Sequence, residues 1–311
     1  MINNNIAFVF PGQGSQSVGM LADIATQFSE VHETFAEASA ALGYDLWELV
    51  SAGPAEKLDQ TVHTQPALLA ASFAVWRILQ RRSQMRPSLL AGHSLGEYTA
   101  LVCAGALDFS DAIRLVAARG QFMQDAVPAG VGAMAAIIGL DEAGVLAVCD
   151  QARQSDEVLA PANYNSVGQI VVAGHKASVE CAVMVAKEQG AKLATLIPVS
   201  VPSHCKLMKP AADHLSVLLR DTAIESTVLP VIKNVDVTAY TDAESVRVGL
   251  EQQLYMPVRW VETIQSFVQQ GVTQIIECGP GKILTGLNKR IDKSLQQATT
   301  ADSASLQALL N

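Results

Sequence analysis

The chain has 311 residues, of which 50% are hydrophobic and 16% charged, and its formal net charge is −9. This length supports a large core and two subdomains, and the composition excludes a disordered chain. The negative balance argues against nucleic acid as the main ligand.

Asn3-Asn4-Asn5 precede a short apolar run, Ile6–Phe10. With no basic region before it, that run is too short for a signal peptide and reads as a buried strand. Pro11-Gly12-Gln13-Gly14-Ser15-Gln16 stops it, and a helical stretch follows. His63 falls in a loop before Gln65-Pro66. Strand–helix alternation continues through Leu89–Ala91 and on to a helix near Ser110–Ala126, the pattern of an α/β fold with a parallel sheet. The middle of the chain changes order. Ala133–Gly139, Val158–Ala162, Gln169–Ala173 and Lys192–Val199 are strand-like, with Asn165-Ser166-Val167-Gly168 as a turn. Asp141–Ala152 and Lys176–Gln189 are helix-like. This β-α-β-β-α-β order is ferredoxin-like. We read residues 128–200 as a small subdomain inserted into a larger one made of 1–127 and 201–311. The larger one resumes with a helix at Leu207–Leu219, a strand at Val231–Val235 and a helix approaching Gln253. A helix at Val261–Gln270, a strand at Gln274–Cys278, a Gly279-Pro280-Gly281 turn and a last helix follow. The tail after Lys293 reads as peripheral, with a short helix capped near Asp302 or Ser303.

No internal repeat is present, and no apolar stretch approaches the ~20 residues of a membrane helix. The five cysteines, Cys103, Cys149, Cys181, Cys205 and Cys278, are scattered and form no Cys-x-x-Cys pair. That pattern fits reduced thiols in a cytoplasm better than a disulfide framework or a zinc site.

Gly92-His93-Ser94-Leu95-Gly96 carries the most information. It has the Gly-x-Ser-x-Gly spacing of a nucleophile elbow, between an apolar run and a helix-like run, which is the context that motif requires. Small residues on both sides expose the serine hydroxyl on a sharp turn. The Leu95 N–H then points where an oxyanion would form, and Gln13 can supply a second N–H. The Gly12-x-Gly14 loop lacks the third glycine of a dinucleotide fingerprint and is not a Walker A loop. A serine nucleophile needs a base. Of six histidines, His93 should diverge from Ser94 at the turn, and His204, after Pro202-Ser203 where the chain returns from the insert, is the candidate. Arg119 shares a helix face with Leu115, Val116, Phe122 and Met123, so it faces inward. An inward arginine is either salt-bridged to an internal carboxylate or clamps an anionic substrate.

Phe10-Pro11-Gly12-Gln13-Gly14-Ser15-Gln16, Thr64-Gln65-Pro66-Ala67, Gly92-His93-Ser94-Leu95-Gly96-Glu97-Tyr98, Val201-Pro202-Ser203-His204 and Gly279-Pro280-Gly281-Lys282 stand in one order along the whole chain. Together they resemble the malonyl-CoA:acyl carrier protein transacylases of bacterial fatty-acid synthesis. The resemblance implies an α/β-hydrolase-like large domain with a ferredoxin-like insert, Ser94 as nucleophile and His204 as base. It implies that Arg119 binds the malonyl carboxylate, that Gln13 and Leu95 supply the oxyanion N–H groups, and that Gln65 and Asn165 line the site. Gln253 matches a residue whose main-chain carbonyl orients the histidine, so its side chain should matter little. Asp213 and Asp236 are the candidate acids for a triad; Asp213 lies in a helix-like stretch past His204, so Asp236, after the Val231–Val235 strand, is the more serious rival. The implied partners are malonyl-CoA and holo acyl carrier protein, with no metal or cofactor, in a cytoplasmic monomer. Lys206, Lys209, Lys282, Lys289 and Arg290 are candidates for docking the acidic carrier.

A serine esterase or thioesterase would use the same elbow with water as acceptor, and a dinucleotide-binding module would use Gly12-x-Gly14. The inward-facing Arg119 favours the transferase over the esterase.

Overall fold

All five residues of β1 (Ile6–Phe10) are buried, because helices cover both faces of the sheet it centres. In the computed structural model, which describes residues 5–199 and 201–311, β1 pairs in parallel with β2 (Leu89–Gly92) on one side. On its other side it pairs with β8 (Gln274–Glu277). β7 (Val231–Ile232) adds to β2 and β9 (Gln296–Thr299) to β8, giving the all-parallel order β7-β2-β1-β8-β9. Phe8 and Phe10 point into one core, where they meet Trp76 edge-on. Ala7 and Val9, one residue out of phase, point into the other with Trp260, Ile264 and Phe267.

A second, antiparallel sheet has the order β4-β5-β3-β6. Its strands are β3 (Gly132–Ile138), β4 (Leu159–Ser166), β5 (Gln169–His175) and β6 (Leu193–Leu196). Helices Glu142–Ala152 and Lys176–Glu188 cover one face with Val145, Val148, Val179 and Ala182. The other face, with Met134, Ala162, Val171 and Ala173, packs toward Cys205 of the large unit. The fold class is therefore the expected one, a parallel α/β sheet with a βαββαβ unit of ferredoxin-like strand order.

Several local expectations differ. The first two asparagines of Asn3-Asn4-Asn5 and Ser200, the last residue of the expected insert, lie outside the described residues. β4 runs on to Ser166, so Asn165 sits in a strand and only Val167-Gly168 turn the chain. His63 lies inside the helix Thr61–Arg82 and contacts the Tyr44 hydroxyl at 3.1 Å. The strands expected at Lys192–Val199 and Val231–Val235 shorten to β6 and β7. The tail is not peripheral. Gln296–Thr299 forms the fifth strand, Thr300 and Leu306 are fully buried, and Asp302 caps the helix Ser303–Leu310. Polar composition hid this strand, because an edge strand needs few apolar residues.

Candidate active site

Ser94 stands on the turn between β2 and the helix Gly96–Cys103, with φ of 51°. That left-handed conformation is uncommon outside glycine and signals a tightly held turn. The flanking glycines are required by close approach. A Cβ on Gly92 would lie 1.8 Å from the Gly96 carbonyl carbon, and one on Gly96 would lie 2.0 Å from the Phe10 oxygen. A further clamp is Asn234, just past β7. Its Oδ1 accepts the Ser94 N–H at 2.8 Å, and its Nδ2 donates to the Gly92 carbonyl at 2.7 Å.

The Ser94 Oγ lies 2.8 Å from His204 Nε2. His204 is 3% exposed and also has a positive φ, 61°. Its Nδ1 lies 2.7 Å from the main-chain oxygen of Gln253. A carbonyl only accepts, so Nδ1 carries the proton and Nε2 is the acceptor facing the serine. Burial, reinforced by the nearby Arg119 charge, pushes the imidazole down to about 3, so His204 is neutral at ordinary pH. Asp236 is elsewhere, bonded to Lys233 and Thr238.

Arg119 is fully buried on the helix Phe109–Asp125, beside Leu115, Val116 and Met123. Among the described residues no carboxylate forms an ion pair with it. Nη1 donates to Gln65 Oε1 at 2.8 Å and Nη2 to Gln253 Oε1 at 2.9 Å, while Nη2 stands 3.5 Å from Ser94 Oγ. Its Nε has no hydrogen-bond partner among the described residues. Among the described residues the internal salt bridge left open by the sequence is thus absent, and the buried guanidinium sits behind the serine, held by two amide oxygens and stacked 5.3 Å over the Tyr98 ring. Gln65 is fully buried beside it.

A cleft of about 670 Å³ opens between the two sheets, lined by Gln13, His93, Ser94, Asn165 and His204 with Met134, Val171 and Ile197. Asn165 reaches it because β4 bulges between Tyr164 and Ser166, which re-aims the intervening side chain. Its Oδ1 accepts from His93 Nε2 at 2.8 Å. The His93 ring rests on Trp260, diverging from Ser94 as expected. The backbone N–H groups of Gln13 and Leu95 bond to no other described residue. Of the five proposed docking cations, Lys209 is paired with Asp213 and Glu251, Lys282 with Asp302, and Arg290 with the Gln169 side chain. Lys206, just after His204, and Lys289 are exposed.

The Gln253 side chain departs from the sequence reading. Besides accepting from Arg119, it donates through Nε2 to the Ser94 carbonyl at 2.9 Å and to Glu97 Oε2. Glu97 is 1% exposed and also accepts from the Tyr240 hydroxyl at 2.6 Å. Neither Glu97 nor Asn234 was singled out from sequence. For Glu97 a signal existed, a carboxylate one residue past the elbow and just ahead of the uncharged, largely apolar stretch Tyr98–Cys103.

The fold and this site define an acyltransferase, and the chain matches the acyl transferase domain family over residues 7–308. Within that family it belongs to the malonyl CoA-acyl carrier protein transacylases. Proteins of that name from Escherichia coli strain K12 and Haemophilus influenzae are 55% and 56% identical to it, each over 304 residues. Those matches cover 98% of both chains for the first and 97% for the second. The crystal structure of an acyl carrier protein S-malonyltransferase from Vibrio cholerae is 57% identical, with a TM-score of 0.96 over 98% of this chain and 99% of that one. A malonyl-transacylase in complex with a type II PKS acyl-carrier protein is 55% identical, with a TM-score of 0.97 over the same shares.

Proposed function

We propose that the protein transfers the malonyl group of malonyl-CoA to the phosphopantetheine thiol of acyl carrier protein, through a malonyl ester on Ser94. The observation that carries this reading is the Arg119 guanidinium, buried, ion-paired to no carboxylate among the described residues and 3.5 Å from Ser94 Oγ. A buried unpaired charge is costly and calls for an anion. The free carboxylate of a malonyl group supplies one at the distance from the reacting carbonyl that malonate chemistry sets. The nearly complete overlap with relatives of that name supports it.

In the first half-reaction His204 Nε2 takes the Ser94 hydroxyl proton as Oγ attacks the thioester carbonyl. The oxyanion forms against the Gln13 and Leu95 N–H groups. Coenzyme A leaves as its thiol, taking the proton back from His204, and a malonyl-serine ester remains. In the second half the carrier thiol gives its proton to His204, attacks the ester, and Ser94 leaves with that proton. The Gln253 carbonyl keeps Nδ1 protonated through both halves. Nucleophile, base and donors all come from the chain, so the chemistry asks for no metal or cofactor. Gln65 and Asn165 hold Arg119 and the cleft wall respectively.

We take residues 1–127 with 201–311 as the catalytic unit and 128–200 as the insert. The five free cysteines agree with a cytoplasmic enzyme, which we take to act as a monomer. Lys206 and Lys289, exposed and in no ion pair among the described residues, are the cations we assign to carrier docking. Carrier transfer should then weaken with salt more than acylation by malonyl-CoA does, and equal salt dependence would remove the patch. The direct test of the function is incubation with malonyl-CoA followed by intact-mass analysis. One malonyl adduct that persists in water and is discharged by holo acyl carrier protein is expected. Rapid hydrolysis without transfer would make the protein a thioesterase.

A further inference from the structure

Glu97 is buried, yet both of its oxygens are used. Oε1 accepts the Tyr240 hydroxyl at 2.6 Å and the Asn234 backbone N–H at 3.2 Å, and Oε2 accepts Gln253 Nε2. These partners come from two distant segments, the chain around β7 and the end of the helix Ala243–Gln253.

A carboxamide has one acceptor oxygen and one donor nitrogen. Gln253 Nε2 faces two acceptors, the Ser94 carbonyl and Glu97, so its Oε1 must face the Arg119 guanidinium. Turned over, its N–H groups would meet those of Arg119 and its oxygen would meet a carboxyl oxygen. The main-chain oxygen of the same residue holds His204 Nδ1. Gln253 therefore serves the base and the guanidinium together, and Glu97 fixes which way its amide points. On its other side Glu97 holds Asn234, which grips the Ser94 N–H. The carboxyl thus joins the turn that carries Ser94 to the turn that carries the His204 acceptor.

We infer that Glu97 is a positioning residue for acyl transfer, acting through Gln253 to keep Arg119 and His204 in register with Ser94. It touches neither the reacting atoms nor the substrate. The inference rests on the malonyl-serine reading above.

The test is a double-mutant cycle in the full chain, with the rate of malonyl-serine formation read by quenched intact mass across malonyl-CoA concentrations. Glu97→Gln cannot accept from Gln253 and from Asn234 together, since one oxygen becomes an amide donor. It should slow acylation at saturating malonyl-CoA by about tenfold, the size of coupling common between contacting residues. In a Gln253→Ala background the same change should cost no more than about twofold. Glu97→Asp, which keeps the carboxyl group but withdraws it by one methylene, provides the same comparison if the Gln variant does not fold. Equal losses in both backgrounds, or wild-type rates in the Glu97 variants, would overturn the inference. A wild-type protein that forms no malonyl ester would instead remove the functional reading beneath it.

Discussion

Ser94 and His204 are 110 positions apart, hydrogen-bonded at 2.8 Å, and both held at positive φ. Each such non-glycine conformation costs about 1–3 kcal/mol and persists only where surrounding contacts over-determine it. Here those contacts are visible. Asn234 grips the serine turn, and the Leu254 carbonyl accepts the His204 N–H at 3.0 Å. The strain therefore sits on the two residues whose hydroxyl and imidazole meet.

Ser94→Ala should leave no mass increase with malonyl-CoA, and His204→Ala should slow adduct formation by roughly three orders of magnitude or more, because nucleophile and base act as a unit. An undiminished adduct on the Ala variant would show that another residue carries the acyl group.

Arg119→Ala should lose about 2–5 kcal/mol in malonyl transfer, as expected when one partner of a buried charge pair is removed. Acetyl transfer should fall far less or rise. Parallel rate measurements with malonyl-CoA and acetyl-CoA decide this, and equal losses would make Arg119 structural.

Gln253→Ala should cost malonyl transfer at least tenfold, or about 1.4 kcal/mol. This reverses the expectation of an idle side chain, since the amide bonds Arg119, Glu97 and Ser94. Asp236→Asn should stay far from the ~10⁴-fold loss of a neutralised triad aspartate. Steady-state rates of the two variants test both statements.

Two buried groups set opposite pH dependences. His204 is lowered from 6.5 to about 3, so the unfolded chain binds its proton first and the histidine's contribution to stability is lost as pH falls between those values. Glu97 is raised by burial from 4.5 to about 7, so its contribution is present below 4.5 and lost as pH rises through 7. The melting temperature of the wild type relative to Glu97→Gln should therefore decline as pH climbs from 4.5 to 7, and that relative to His204→Gln should decline as pH drops from 6.5 toward 3. Thermal scans across this range check both signs. His204 itself should add no inflection at 6.5 to the acylation rate, because it is already neutral there.

Short-range chemistry was legible along the chain. The elbow needs glycines within two residues of Ser94, the amphipathic stripe around Arg119 declares its inward face, and Asp302 caps the helix beginning one residue later. The alternation of strands and helices likewise announced the parallel sheet and the βαββαβ unit. Which groups meet depended instead on how distant segments pack. Whether Arg119 had an internal carboxylate depended on how the helices Thr61–Arg82 and Phe109–Asp125 and the end of Ala243–Gln253 converge. Asn165 reaches the cleft through a bulge in β4, and the polar stretch Gln296–Thr299 became a strand because β8 offered it a free edge. Glu97 looked like one more helix residue, and its partners lie 137 to 156 positions away. Hydrogen bonds of that separation leave no periodicity in the chain. They arise where a buried polar group must be satisfied by whatever the packed core places beside it, and that is settled only when the core is assembled.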